Sequence, residues 1–213
     1  MDIEDQQLQE KRDRVTKKSA KISSTTVLIG ILLVVMVGGG VALTVGGSTG
    51  SEIKPPKQID RVEVTGPVDY TQARVDMKKI DYEADEKWVT INLDDVIKNK
   101  LVTFNFKSPK INVETRNFAG KPELPILAMV DPKGKLMVGV SYCEPCRSIT
   151  FHTEKDMSLT CNICGTKWDV ETLIAWSGAC MPFPPDEVKV KVKGDKVLIP
   201  RDYLEKWEPR KET

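Results

Sequence analysis

From Trp88 onward, apolar and polar positions fall into a two-residue rhythm. Trp88-Val-Thr-Ile-Asn-Leu and Leu101-Val-Thr-Phe-Asn-Phe both alternate, which is the period of a strand with one buried face. Leu93 to Lys100, between them, reads as a turn or one helical turn. Ile126–Val130 is an unbroken apolar run, followed by Asp131-Pro-Lys-Gly. That tetrapeptide predicts a bend, with Pro presetting φ and Gly free to take a positive one. Lys135 to Tyr142 alternates again, and Glu187 to Pro200 interleaves valine with lysine around Gly194-Asp195. This last pattern predicts a hairpin with one solvated face. Arg61–Val64 predicts a short strand before a turn at Gly66-Pro67, and the rest of 61–87 carries weak patterns. Asp169 to Trp176 reads as a short helix with Asp169 as its N-cap. Arg201–Thr213 reads as a short helix or coil tail. The expected fold class is mainly β with few short helices.

Upstream, one apolar run replaces the rhythm. Val27 to Val45, VLIGILLVVMVGGGVALTV, is nineteen residues without a charge. As a helix it would span about 28 Å, close to the hydrocarbon thickness of a bilayer. It therefore predicts one transmembrane helix. A cleaved signal peptide fits less well, because the basic region is long, the apolar run exceeds a usual signal core and no A-x-A site follows. Lys11, Arg12, Arg14, Lys17, Lys18 and Lys21 precede the span, against Lys54, Lys57 and Arg61 after it. That asymmetry places the N-terminus in the cytoplasm and the remainder outside. The expected organisation is a polar cytoplasmic tail over 1–26, the span over 27–45 and a Gly/Ser/Pro-rich linker over 46–60. An extracytoplasmic β-rich domain over 61–200 and a tail over 201–213 complete it.

Charge changes this picture little. The chain has 32 basic and 31 acidic residues in 213, which argues against a general nucleic-acid footprint. Aromatics are 6% of residues, so the core is expected to be small and a metal tying it together would matter. With a single histidine and no Rossmann, P-loop or H-E-x-x-H pattern, no hydrolytic or nucleotide-using enzyme is supported and no catalytic residue is assigned.

All five cysteines lie between Tyr142 and Pro185. Cys143 and Cys146 form one C-x2-C clip, Cys161 and Cys164 a second, and Cys180 follows. Two such clips around a hairpin-sized insert are a four-thiolate metal signature. Apart from these clips the chain has no internal repeat. Four thiolates hold Zn²⁺, a single iron or an iron–sulfur cluster, and all three fit the spacing. Residue geometry alone favours a zinc-ribbon-like or rubredoxin-like mononuclear centre.

Cys143-Glu-Pro-Cys146, Cys161-Asn-Ile-Cys164-Gly165 and Gly178-Ala-Cys180-Met-Pro182-Phe-Pro184, with the strands leading into them, resemble the core of the FtrD-like family of membrane iron–sulfur proteins over about residues 88–185. Ala179 and Met181 stand where the family pattern has Gly and Asn. The resemblance implies iron or an iron–sulfur cluster, a role in electron transfer or iron handling, and a membrane partner such as a permease or redox partner.

Cys180 is either a buried free thiol or an additional ligand or redox thiol. His152, Trp168 and Trp176 are candidates for a supporting shell, the tryptophans as dry cover that would also tune a potential. Two other functions remain open: a structural zinc-ribbon interaction module beside a transporter, and thiol–disulfide exchange through a C-x-x-C pair. Against the last, no thioredoxin-like βαβ pattern surrounds the clips.

Overall fold

The computed structural model describes residues 59–112 and 122–211. The predicted tail 1–26, the span 27–45 and most of the linker 46–60 lie outside the described residues. Among the described residues no helix is long and apolar enough to cross a membrane.

The described chain is mainly β with two short helices. Its first elements are β1 (Val62–Glu63), β2 (Val75–Asp76), β3 (Lys78–Lys79), β4 (Glu83–Ala84), β5 (Trp88–Asn92), α1 (Leu93–Asn99) and β6 (Leu101–Lys107). After these come β7 (Glu123–Val130), β8 (Lys135–Val140), β9 (Phe151–Thr153), β10 (Ser158–Cys161), β11 (Lys167–Asp169) and β12 (Ala175–Ser177). The chain closes with β13 (Asp186–Glu187), β14 (Lys191–Lys193), β15 (Lys196–Pro200) and α2 (Arg201–Lys206).

Three sheets form. The central one runs β1-β8-β7-β6-β3, with β13 also on β8; a second runs β12-β11-β10-β9-β2 and a third β14-β15-β5-β4. Both faces of the central sheet are buried. Ile126, Ala128 and Val130 pack into one core with Phe104, Val138, Val197 and Ile199. Leu127 and Met129 pack into another with Met137, Phe151 and Trp168. A strand buried on both faces reads as a continuous apolar run and not as an alternation, which is the pattern at Ile126–Val130. In β5, by contrast, Val89 and Ile91 are buried and their neighbours partly exposed.

Local chemistry sets the connections. Asn92 accepts the Asp94 amide at 2.8 Å and caps α1, while Leu93 and Val96 bury its inner face. Asp131 Oδ1 accepts the Lys133 and Lys135 amides at 2.9 and 3.0 Å and closes the β7–β8 turn. Arg61 ties three distant segments together. It reaches Glu187 at 2.8 Å, Asp131 at 3.1 Å and the Glu171 carbonyl at 2.6 Å, and the side chains of Arg61, Asp131 and Glu187 are nearly buried.

Two expectations need correction. Asp169 to Trp176 is not a helix: Asp169 ends β11 and Ala175–Ser177 is β12. The Asp169 carboxylate does accept the Glu171 and Thr172 amides, at 3.1 and 2.7 Å, but it caps a single turn of a tight hairpin. Pairing of Trp168 with Ala175 outweighs helix continuation. The Glu187–Pro200 hairpin begins later than expected, because Asp186 and Glu187 pair with Val140 and Gly139 of the central sheet. The hairpin proper pairs Lys191–Lys193 with Lys196–Leu198. α2 is followed by Trp207, which is buried and donates to Asp186 at 2.8 Å.

Candidate metal centre

The first clip leaves the end of β8, and the second leaves the end of β10. The two have the same backbone plan. The Cys143 amide donates to the Ser148 carbonyl at 2.9 Å, and the Cys161 amide donates to the Thr166 carbonyl at 3.0 Å. Each bond closes over five residues. Each clip then turns through a left-handed residue, Arg147 at φ 58° and Gly165 at φ 67°. Glycine adopts that region freely, whereas an L side chain there is strained. The two clips are thus a structural repeat.

Their four sulfurs converge. The Sγ atoms of Cys143, Cys146, Cys161 and Cys164 all lie within 4.8 Å of one another, and Cys146 to Cys161 is 3.5 Å. No two are joined as a disulfide. The first cysteine of each clip is buried and the second is partly exposed.

The electrostatics are those of a site built for a cation. Cys143 donates to Cys161 and holds it down to about 4, helped against burial by the amides of Cys164 and Ile163 and the Ser148 hydroxyl. Cys143 itself is pushed up by that same bond and by burial. Burial pushes Cys146 up to about 12. Holding four thiolates in this volume takes a positive ion.

The spacing tests what that ion can be. Four sulfurs in a tetrahedron about one ion at roughly 2.3 Å stand about 3.8 Å apart, and this set is of that size. A cluster whose cysteines bind different irons spreads its sulfurs more widely. The residues fit a single four-coordinate ion.

The other predicted residues fall differently. Trp168 is fully buried, packs on Phe151 with ring centroids 6.1 Å apart and donates to the Met181 carbonyl at 3.1 Å. Trp176 is 50% exposed on β12 and is not dry cover; as an edge strand, β12 presents it to solvent. His152 is buried on β9, with its ring nitrogens taken by Asn162 and by Glu154 at 3.1 Å. It reaches the second clip through Asn162, between that clip's cysteines, and is not among the converging ligand atoms. Cys180 is buried in the same core as Cys143 and Cys161.

Residues 107–210 match a family model described as membrane iron-sulfur containing protein FtrD-like. No curated protein and no solved structure matches the chain. The match spans both clips, Cys180 and the segment through Arg210. With the four-cysteine cluster, it supports a metal-binding, iron-related protein of a kind associated with membranes.

Three contributors are not evident from cysteine spacing. Ser148 and Thr166 stand five residues after the first cysteine of each clip and bond back to it; their shared offset is a signal in the sequence. Glu144, inside the first clip, is almost fully buried and takes both ends of Arg210, at 2.6 and 2.8 Å. Arg210 also donates to the Pro184 carbonyl at 2.5 Å and lies over the Phe183 ring. No local sequence pattern links residues 66 positions apart.

Proposed function

We propose that this chain is a membrane-anchored iron protein in which Cys143, Cys146, Cys161 and Cys164 hold one iron ion for electron transfer or iron handling. The carrying observation is the convergence of four thiols within 4.8 Å, in the segment similar to the FtrD-like family. Iron bound by four thiolates supplies a one-electron couple without binding a substrate. The protein's own groups do the rest. The clip backbones fix the sulfurs, and amides from residues 163 and 164 with the Ser148 hydroxyl stabilise negative charge on Cys161. Trp168 and Phe151 keep water from the inner side. Cys146 and Cys164, partly exposed, offer the short way out for an electron.

In this reading the N-terminus is cytoplasmic and the domain lies outside the membrane, held by the apolar run 27–45, beside a permease or a redox partner. A second reading, a structural zinc module beside a transporter, draws on the same spacing, because zinc takes the same tetrahedron. The test is a potentiometric titration of the full chain, purified in detergent without oxygen and followed by visible absorption. Iron with thiolate charge-transfer bands and a reversible one-electron change is expected. A colourless, redox-silent chain containing zinc would overturn the electron-transfer role. A metal-free chain with oxidised clips would favour disulfide exchange.

A further inference from the structure

Cys180 is built into the centre. Its side chain is 4% exposed and lies in the same core as Cys143 and Cys161, against which Cys146 and Cys164 also pack. It stands outside the group that converges within 4.8 Å. The Cys164 thiol donates to Thr166 Oγ1 at 3.2 Å, and the Cys180 amide donates to the same oxygen at 3.1 Å. One hydroxyl therefore holds both cysteines side by side.

The loop that carries Cys180 is fixed on every side. Gly178 has φ +110°, and a Cβ there would fall 2.4 Å from Thr166 Oγ1, so only glycine allows this approach. Trp168 binds the Met181 carbonyl, and Arg210 joins the Pro184 carbonyl to Glu144 of the first clip. A thiol serving only to fill a core needs none of these contacts.

We propose that Cys180 is a stand-by ligand that exchanges with Cys164. The inference rests on the four-thiolate reading above. In the exchange the Cys180 thiol gives up its proton as its sulfur bonds to the ion. The bond from the ion to Cys164 breaks, and Cys164 takes up a proton. No electron is moved, and the ion keeps four thiolates. Such a step lets a tightly held ion enter or leave at one edge without opening the site, which suits a protein that hands metal on. The shared Thr166 hydroxyl singles out Cys164 as the partner of Cys180.

The test uses the full chain in detergent without oxygen, with Co²⁺ as the probe, since its charge-transfer absorption grows with the number of thiolates bound. Cys164→Ser is expected to bind one Co²⁺ with a four-thiolate spectrum and affinity within about tenfold of the parent, while Cys161→Ser and Cys164→Ser/Cys180→Ser lose about 100-fold or more. A Cys164→Ser chain as weak as the double variant overturns the exchange. A parent chain that takes up no Co²⁺ overturns the four-thiolate reading itself. A second measurement needs no variant: alkylation of the Co²⁺-loaded parent, mapped by mass spectrometry. Label divided between Cys164 and Cys180 is expected, and label on Cys180 alone contradicts the exchange.

Discussion

The two cores of this domain are held together in different ways. The first lies between the central sheet and the β14-β15-β5-β4 sheet, and its members are almost all aliphatic or aromatic. Its strands are long: β6 has seven residues and β7 eight. The second lies on the other face of the central sheet. It is walled by strands of three or four residues, and Cys143, Cys161 and Cys180 are part of its filling. Short strands bury little apolar area, and strands of this size are marginal on their own. On the proposed reading, one region folds on hydrophobic burial, while the other relies on an ion to bring its two clips together.

The sharpest break of that contrast is removal of the metal, or Cys161→Ser. Metal binding in small four-ligand domains supplies roughly 10 kcal/mol or more, so the second region should open while the first stays folded. Hydrogen exchange should show amides of 151–169 losing protection, with those of 101–107 and 123–130 keeping it. Uniform loss would mean that the two regions are one cooperative unit.

Next in size is Arg61→Ala. It strands Asp131 and Glu187, whose side chains are 2% and 7% exposed. Unpairing buried charges costs about 3–5 kcal/mol. Because Arg61 also binds the Glu171 carbonyl beside β11, urea unfolding should show both regions weakened. Trp168→Phe keeps most of the ring volume and loses the bond to the Met181 carbonyl. It should cost the second region about 1–2 kcal/mol and speed loss of metal to a chelator, with the first region unchanged.

Acid separates the regions less. Lys167 holds Glu154 below the usual carboxylate range. Burial acts upward on Asp156, but Lys167 and Ser158 outweigh it and hold its carboxyl low. In the first region burial likewise acts upward on Glu205 and is outweighed by Arg201 and Ser108. A lowered folded value gives stability that is full above the unfolded value, about 4, and is lost as pH falls through the folded one. Urea midpoints of the metal-loaded chain should therefore hold from pH 7 to about 5 and decline below about 4 in both regions. Asp156→Asn should flatten the decline in the second region alone. Its effect at neutral pH should be under about 1 kcal/mol, since the Asp156–Lys167 pair is partly exposed.

Much of the first region was legible in the sequence. Alternation marked β5 and β6, and Asp131-Pro-Lys-Gly marked the turn into β8, because these depend on near neighbours. The second region was legible only through its cysteines. Strands of three residues are too short to show a period, and Asp169 caps a turn and a helix with the same hydrogen bonds, so the pattern points to a helix where β12 forms. The convergence of the clips followed from their spacing. The hold of Arg210 on Glu144 did not, nor did the nearness of Cys180 to Cys164, since both arise from tertiary packing across distant segments.

X-ray absorption at the metal edge, on the full chain purified without oxygen, tests the central claim most directly. One ion surrounded by four sulfurs at about 2.3 Å, with no metal–metal scattering, is the predicted result. A metal–metal shell, with sulfide in the preparation, would contradict the single-ion centre and make the site a cluster.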